Sequence, residues 1–159
     1  MGRYIFWELM CKILIFSMLF SFNSFAFDND LSMINGKWDC SPEANSEMIL
    51  VNIIEYKAKD MSYTHNGKVT FIQKNGEESI LESKVVGTFK IESLIVEEKI
   101  GSIDIAIVKD DTGFLTGAEE SLRKAFLAGT PPIITKSLDE KYWVKINSET
   151  KEITECKKI

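Results

Sequence analysis

The sequence predicts an all-β domain, an antiparallel up-and-down barrel of about eight strands with one late helix. Three observations predict it. β-Prone runs of alternating hydrophobicity follow one another from Lys37 to Lys157, separated by Asn-Gly, Asp and Pro turn signals. The hydrophobic period changes to that of a helix only once, between Gly117 and Ala128. Cys40 lies in the first run and Cys156 in the last, so one disulfide would tie the two ends of the sheet together.

Residues 1–26 read as a signal peptide. The apolar stretch from Ile13 to Phe22 follows Lys12, and Ser24 and Ala26 occupy the positions that signal peptidase reads, with cleavage expected before Phe27. The stretch is too short to span a bilayer, so no stable membrane span is expected after cleavage. Met10-Cys11-Lys12 would serve as a compact n-region by itself, and both Met1 and Met10 fit as starts. The segment from Phe27 to Ile159 is the length of one domain with its own core, and a periplasmic monomer is expected.

The formal charge of the chain is −5. Arg3, Lys12 and Glu8 lie in the signal, so the remainder is one unit more negative. That balance argues against nucleic acid and anionic membrane surfaces as partners. Cys40 and Cys156 are the two cysteines left after cleavage, and an oxidising compartment would pair them. Closing a loop of that length stabilises by about 4 kcal/mol on the chain-entropy account.

The elements follow in order. Asp28 to Asn35 fits a single helical turn beneath the barrel, and Gly36 lets the chain turn into a strand over Lys37–Ser41, stopped by Pro42. Met48 to Tyr56 is almost continuously apolar and β-branched, the mark of a strand covered on both faces. Met61–His65 and Lys68–Gln73 flank Asn66-Gly67, whose residues tolerate the positive φ of a tight hairpin turn. Asn75-Gly76 supplies a second turn of the same kind. In Ser79–Glu92 the alternating Val85, Gly87, Phe89 and Ile91 make a half-buried strand, with Gly87 at a bend or bulge. Leu94–Lys99 and Gly101–Lys109 follow, the latter with Ile103, Ile105 and Ile107 on one face, and Asp110-Asp111-Thr112-Gly113 turns the chain.

Thr116-Gly117-Ala118-Glu119 reads as a capping box opening a helix over Gly117–Ala128. Its stripe of Ala118, Leu122, Ala125 and Phe126 would pack on the barrel wall or mouth. Short strands over Ile133–Lys136, Tyr142–Ile146 and Glu152–Lys157 complete a set of about nine runs.

Gly36-x-Trp38, opening an all-β meander with a helix late in the chain, resembles the lipocalin and calycin barrels. With Cys40 following the tryptophan and Cys156 near the C-terminus, the chain is similar to small exported lipocalin-like proteins of Gram-negative bacteria. The resemblance implies that Trp38 packs across the barrel floor, a place where the family often sets an arginine from near the last strand over the indole; this chain has none there. Arg123 lies on the predicted helix, and Lys157 and Lys158 are the cations at the C-terminus.

No catalytic constellation emerges. His65 has no second histidine to share a metal with, and beside Asn66-Gly67 it reads as a solvated turn residue. Glu77-Glu78, Glu97-Glu98, Asp110-Asp111 and Glu119-Glu120 are adjacent pairs, and neighbours on a strand point to opposite faces. Asp110 to Gly113 lacks the further ligands of a calcium loop. No cofactor is expected. The candidate inward residues are Phe71, Phe89, Ile91, Ile103, Ile105, Ile107, Tyr142 and Val144, core first and cavity lining second. The expected function is binding of a small apolar or amphipathic ligand without catalysis. The alternative is a protein-binding inhibitor or immunity protein acting on a cell-wall hydrolase or toxin, or another envelope protein.

Overall fold

A computed structural model describes residues 31–159; the expected signal peptide and its cleavage site lie outside the described residues. The short helix α1 (Leu31–Ile34) leads into eight strands: β1 (Gly36–Asp39), β2 (Met48–Lys57), β3 (Ser62–Ile72), β4 (Glu78–Glu92), β5 (Ile95–Asp110), β6 (Ile133–Leu138), β7 (Tyr142–Asn147) and β8 (Ile153–Lys158). Helix α2 (Ala118–Leu127) lies between β5 and β6. All neighbouring strands are antiparallel, and β8 returns to β1 to close the barrel.

One expected turn and one expected break between runs are strand interior. Asn66 pairs with Ile53 on one side and Lys84 on the other, and Gly67 pairs with Asn52 and Ser83, so the two runs flanking Asn66-Gly67 are one strand. The chain reverses earlier, through a 3-10 turn at Ala58–Asp60 that ends on Met61 in the left-handed region at φ 48°. Likewise Gly101 lies within β5, and the turn before it is at Ser93, φ 57°. These two mergers reduce the expected runs to the observed strands.

Gly87 sits where the β4–β5 register shifts. A Cβ there would fall 2.3 Å from the Lys99 carbonyl and 2.7 Å from the Tyr63 ring, so only glycine lets the sheet curl this tightly.

The strands are unequal. The run β2–β5 is long, whereas β6, β7, β8 and β1 are short, so the barrel has a complete lower ring and a wall that rises on one side only. The closed ring is filled. Trp38 and Trp143 are fully buried, their ring centroids 5.8 Å apart, and Tyr56 meets Trp143 at 5.4 Å and Phe89 at 5.0 Å, all edge to face. Ile34, Val85, Val96 and the Cys40–Cys156 disulfide complete this layer.

The floor is latched from below. The Trp38 indole donates from Nε1 to the Ile34 carbonyl at 2.8 Å, and Lys158 Nζ stands 5.1 Å from the indole centroid while donating to the Met33 carbonyl at 3.2 Å. Gly36, at φ 120°, leaves room for this lysine: a Cβ would meet Lys158 Cε at 2.9 Å.

Candidate functional site

The upper half of the barrel is open. Strands β5 and β6 pair only through Ile95–Ile134 and Val96–Ile133, which leaves the edge of β5 from Glu97 onward without a neighbouring strand on that side among the described residues. Helix α2 covers this gap. Arg123 donates from Nη1 to the Ile103 carbonyl at 2.8 Å, the Ile107 amide donates to Glu119 Oε1 at 3.1 Å, and Thr130 Oγ1 donates to the Glu98 carbonyl at 3.4 Å. Glu119 therefore satisfies a strand edge and not the helix start. The expected capping box is absent, and the N-cap is Gly117 at φ 78° with no side-chain bond.

The loop before the helix is pinned by Asp110, whose two carboxylate oxygens accept from Ser79 Oγ at 2.8 Å and from the Leu115 amide at 3.0 Å. Leu115 is thereby held in a second apolar cluster with Leu81 and Ile105, against which Phe71, Ile103, Ile107, Ala118, Leu122 and Phe126 pack.

Between this helix and the inner faces of β2, β3 and β4 lies a cleft of about 700 Å³. Its strand wall carries Leu50, Asn52, His65, Gly67, Val69, Phe71, Leu81 and Ser83, and its roof is Phe114, Leu115 and the apolar stripe of α2. Among the described residues no Asp, Glu, Lys or Arg lines it.

A layer of ionisable side chains accompanies the junction of floor and cleft. The Tyr56 hydroxyl donates to Glu98 Oε1. Burial, reinforced by the Glu98 charge, raises the Tyr56 and Tyr63 hydroxyls well above their ordinary pKa. Lys145 is only 7% exposed, with its Nζ 4.8 Å from the Trp143 ring centroid. Burial pulls its pKa down to about 8, against the attraction of Glu98. His65 is pushed down to about 4, first by burial and then by the Lys145 charge, so at neutral pH it is an uncharged imidazole on the cleft wall. The expected solvated turn histidine is thus an interior one.

The residues expected to face inward divide among three places. Phe71 lines the cleft, Ile105 is buried in the cluster beside it, and Ile103 and Ile107 pack against that cluster. Phe89 is part of the floor, and Ile91 packs on it. Tyr142 is 43% exposed, and in β7 the buried side chains are Trp143 and Lys145. The alternation of β7 is therefore the reverse of the expected one, and Tyr142 and Val144 belong to its outer face. Tyr142 borders a surface hollow with Asp39 and Lys157. Gly36, Trp38, Cys40 and Cys156 all belong to the floor and its closure.

Sequence reasoning missed Leu50, Asn52, His65, Gly67 and Ser83. For His65 and Gly67 the signal was present in the period-two series Tyr63, His65, Gly67, Val69, Phe71, which becomes visible once Asn66-Gly67 is read as strand interior. Among the described residues no group of acidic, histidine or cysteine side chains could hold a metal ion, and no helix is long and apolar enough to cross a membrane. No protein-family model matches the chain, and no curated protein sequence matches it.

Proposed function

We propose that this protein is a non-enzymatic carrier that holds one small apolar or amphipathic molecule in the barrel mouth, acting as an exported, lipocalin-like monomer in the periplasm. One observation carries the reading: an apolar cleft of about 700 Å³, roofed by α2 and set above a filled aromatic floor. A cleft of that size with few polar groups suits a ligand of drug-like size. Export is supported by the disulfide, since such bonds persist in oxidising compartments. The lipocalin-like assignment is supported by the Gly36–Trp38–Lys158 latch on the floor, in which a lysine stands over the indole where the resemblance has an arginine.

The test is native mass spectrometry of the chain isolated from periplasm without detergent, followed by titration with the uncharged dye Nile red. A bound mass of roughly a few hundred daltons, or saturable dye uptake that Leu122→Asp abolishes, is expected. A bare chain that takes up no dye would overturn the carrier reading. A second reading is favoured by Phe114 and Leu127, which are 59% and 62% exposed on the loop and helix around the cleft. Such a pair could anchor an envelope or toxin protein that this chain inhibits, and retention of a discrete partner by the bare chain but not by Phe114→Ser would support it.

A further inference from the structure

The cleft wall has a polar notch in an otherwise apolar surface. Asn52, Gly67 and Ser83 are direct cross-strand partners on β2, β3 and β4, and His65 shares their face two residues earlier on β3. At the centre of the row there is no side chain. A Cβ on Gly67 would lie 2.7 Å from Ser83 Oγ and 3.8 Å from His65 Nε2, so the bare backbone at Gly67 lets an oxygen and a nitrogen atom come closer to the strand than a side chain would allow.

Asn52 lines the cleft, and its carboxamide oxygen is buried without a hydrogen-bond partner among the described residues. A buried polar atom in that state costs free energy, which a ligand recovers if the side chain turns the oxygen into the cleft. The cleft holds no formal charge to offer a ligand: its polar lining is Asn52, His65, Ser83 and Ser121, and His65 is uncharged at neutral pH. Lys145 does not line the cleft, and it already has the Trp143 ring beneath it and Glu98 within electrostatic reach. An ammonium head would lose its hydration there and meet the same Lys145 charge that depresses His65, while a carboxylate would find that charge shared with Glu98 and no cation on the cleft lining to bond it.

From this notch we infer that the ligand is an amphiphile with an uncharged hydroxyl head, seated at Gly67 and bonded to Asn52, its apolar tail lying along Leu81, Phe71 and the stripe of α2. A hydroxyl both donates and accepts, so it can give its proton to Asn52 and receive one from Ser83 or His65. The inference rests on the carrier reading and narrows it to a head-group class.

The experiment is displacement of Nile red from the purified full chain by decan-1-ol, decanoate and decylammonium at neutral pH, below their aggregation limits. Decan-1-ol is expected to displace the dye at roughly tenfold lower concentration than either ion. Gly67→Ala, which fills the notch, and Asn52→Leu, which keeps the side-chain bulk, should each erase that preference, read as the ratio of displacing concentrations measured on the same variant. Asn52→Leu gives the decisive comparison if Gly67→Ala disturbs the strand. Equal displacement by all three heads, or a preference that survives Asn52→Leu, overturns the head-group inference and leaves the carrier reading standing. Absence of dye binding by the wild-type chain overturns both.

Discussion

His65 shows how position decides the state of a side chain. On the inner face of β3 it loses hydration and faces the Lys145 charge, and its pKa drops to about 4. Tyr56, Tyr63 and Glu98 are the other ionisable groups of this interior layer, and none places a carboxylate in a hydrogen bond with the imidazole among the described residues. In the unfolded chain the same group titrates near its ordinary value, about 6.5. Between those two values the unfolded chain binds more protons, so stability is highest above the unfolded pKa and falls as the pH drops from about 6.5 to about 4. The expected loss over that window is on the order of 2–3 kcal/mol. Urea melts of wild type and His65→Asn across this range check it: the difference between the two proteins should shrink steadily on acidification, and parallel curves would show that His65 is not held neutral. Lys145 carries the converse lesson. Sequence alternation in β7 reads equally well in either register, and only packing places Trp143 and Lys145 inside.

At the scale of single elements, β4 and β5 depend on one missing side chain. The Lys99 carbonyl and the Tyr63 ring occupy the space beside Gly87, and neither is the free end of a flexible side chain. Gly87→Ala should destabilise by roughly 2–3 kcal/mol through overpacking, whereas Gly76→Ala, with nothing within 4 Å, should carry only the smaller penalty of its positive φ. Thermal melts of the two variants distinguish a packing requirement from a general intolerance of glycine replacement. The existence of the strands and of the late helix was legible because both periods are strong. Their ends were less so, since Asn-Gly signals a turn only when the flanking runs pair with each other. Here the run before Asn66 pairs onward with β2 and β4 together with the run after it, and those non-local ladders override the local preference. The helix begins where expected, but its capping box is absent for a similar reason. Glu119 is in reach of the unpaired Ile107 amide, a partner that does not exist until β5 and β6 diverge.

At the scale of the molecule, the closing contact is narrow. Strands β1 and β8 share only Trp38–Lys158 and Asp39–Lys157, and the disulfide joins residues 116 apart beside that pair. Cys40→Ala with Cys156→Ala should lower stability by about 4 kcal/mol, less any strain released, read as a drop in the denaturation midpoint that added reductant does not deepen further. A melt unchanged by the double substitution would mean that the aromatic floor alone holds the ring closed. The closure was legible from two cysteines at the ends of an exported-looking chain. The cleft was not, because it arises from unequal strand lengths and from a helix standing where a wall strand would be, neither of which a hydrophobic period records.

The same narrow seam has a temporal consequence. The meander from β2 to β5 is built of neighbours in the chain and can pair as it is made, but β1, synthesised before all of it, waits for the last strand. Until residues 153–158 arrive, the far edge of β1 offers an unpaired ladder to other chains. Molecules truncated before residue 153 are therefore expected to aggregate more readily than the full chain, and the Cys40–Cys156 bond can form only once the last strand has been made.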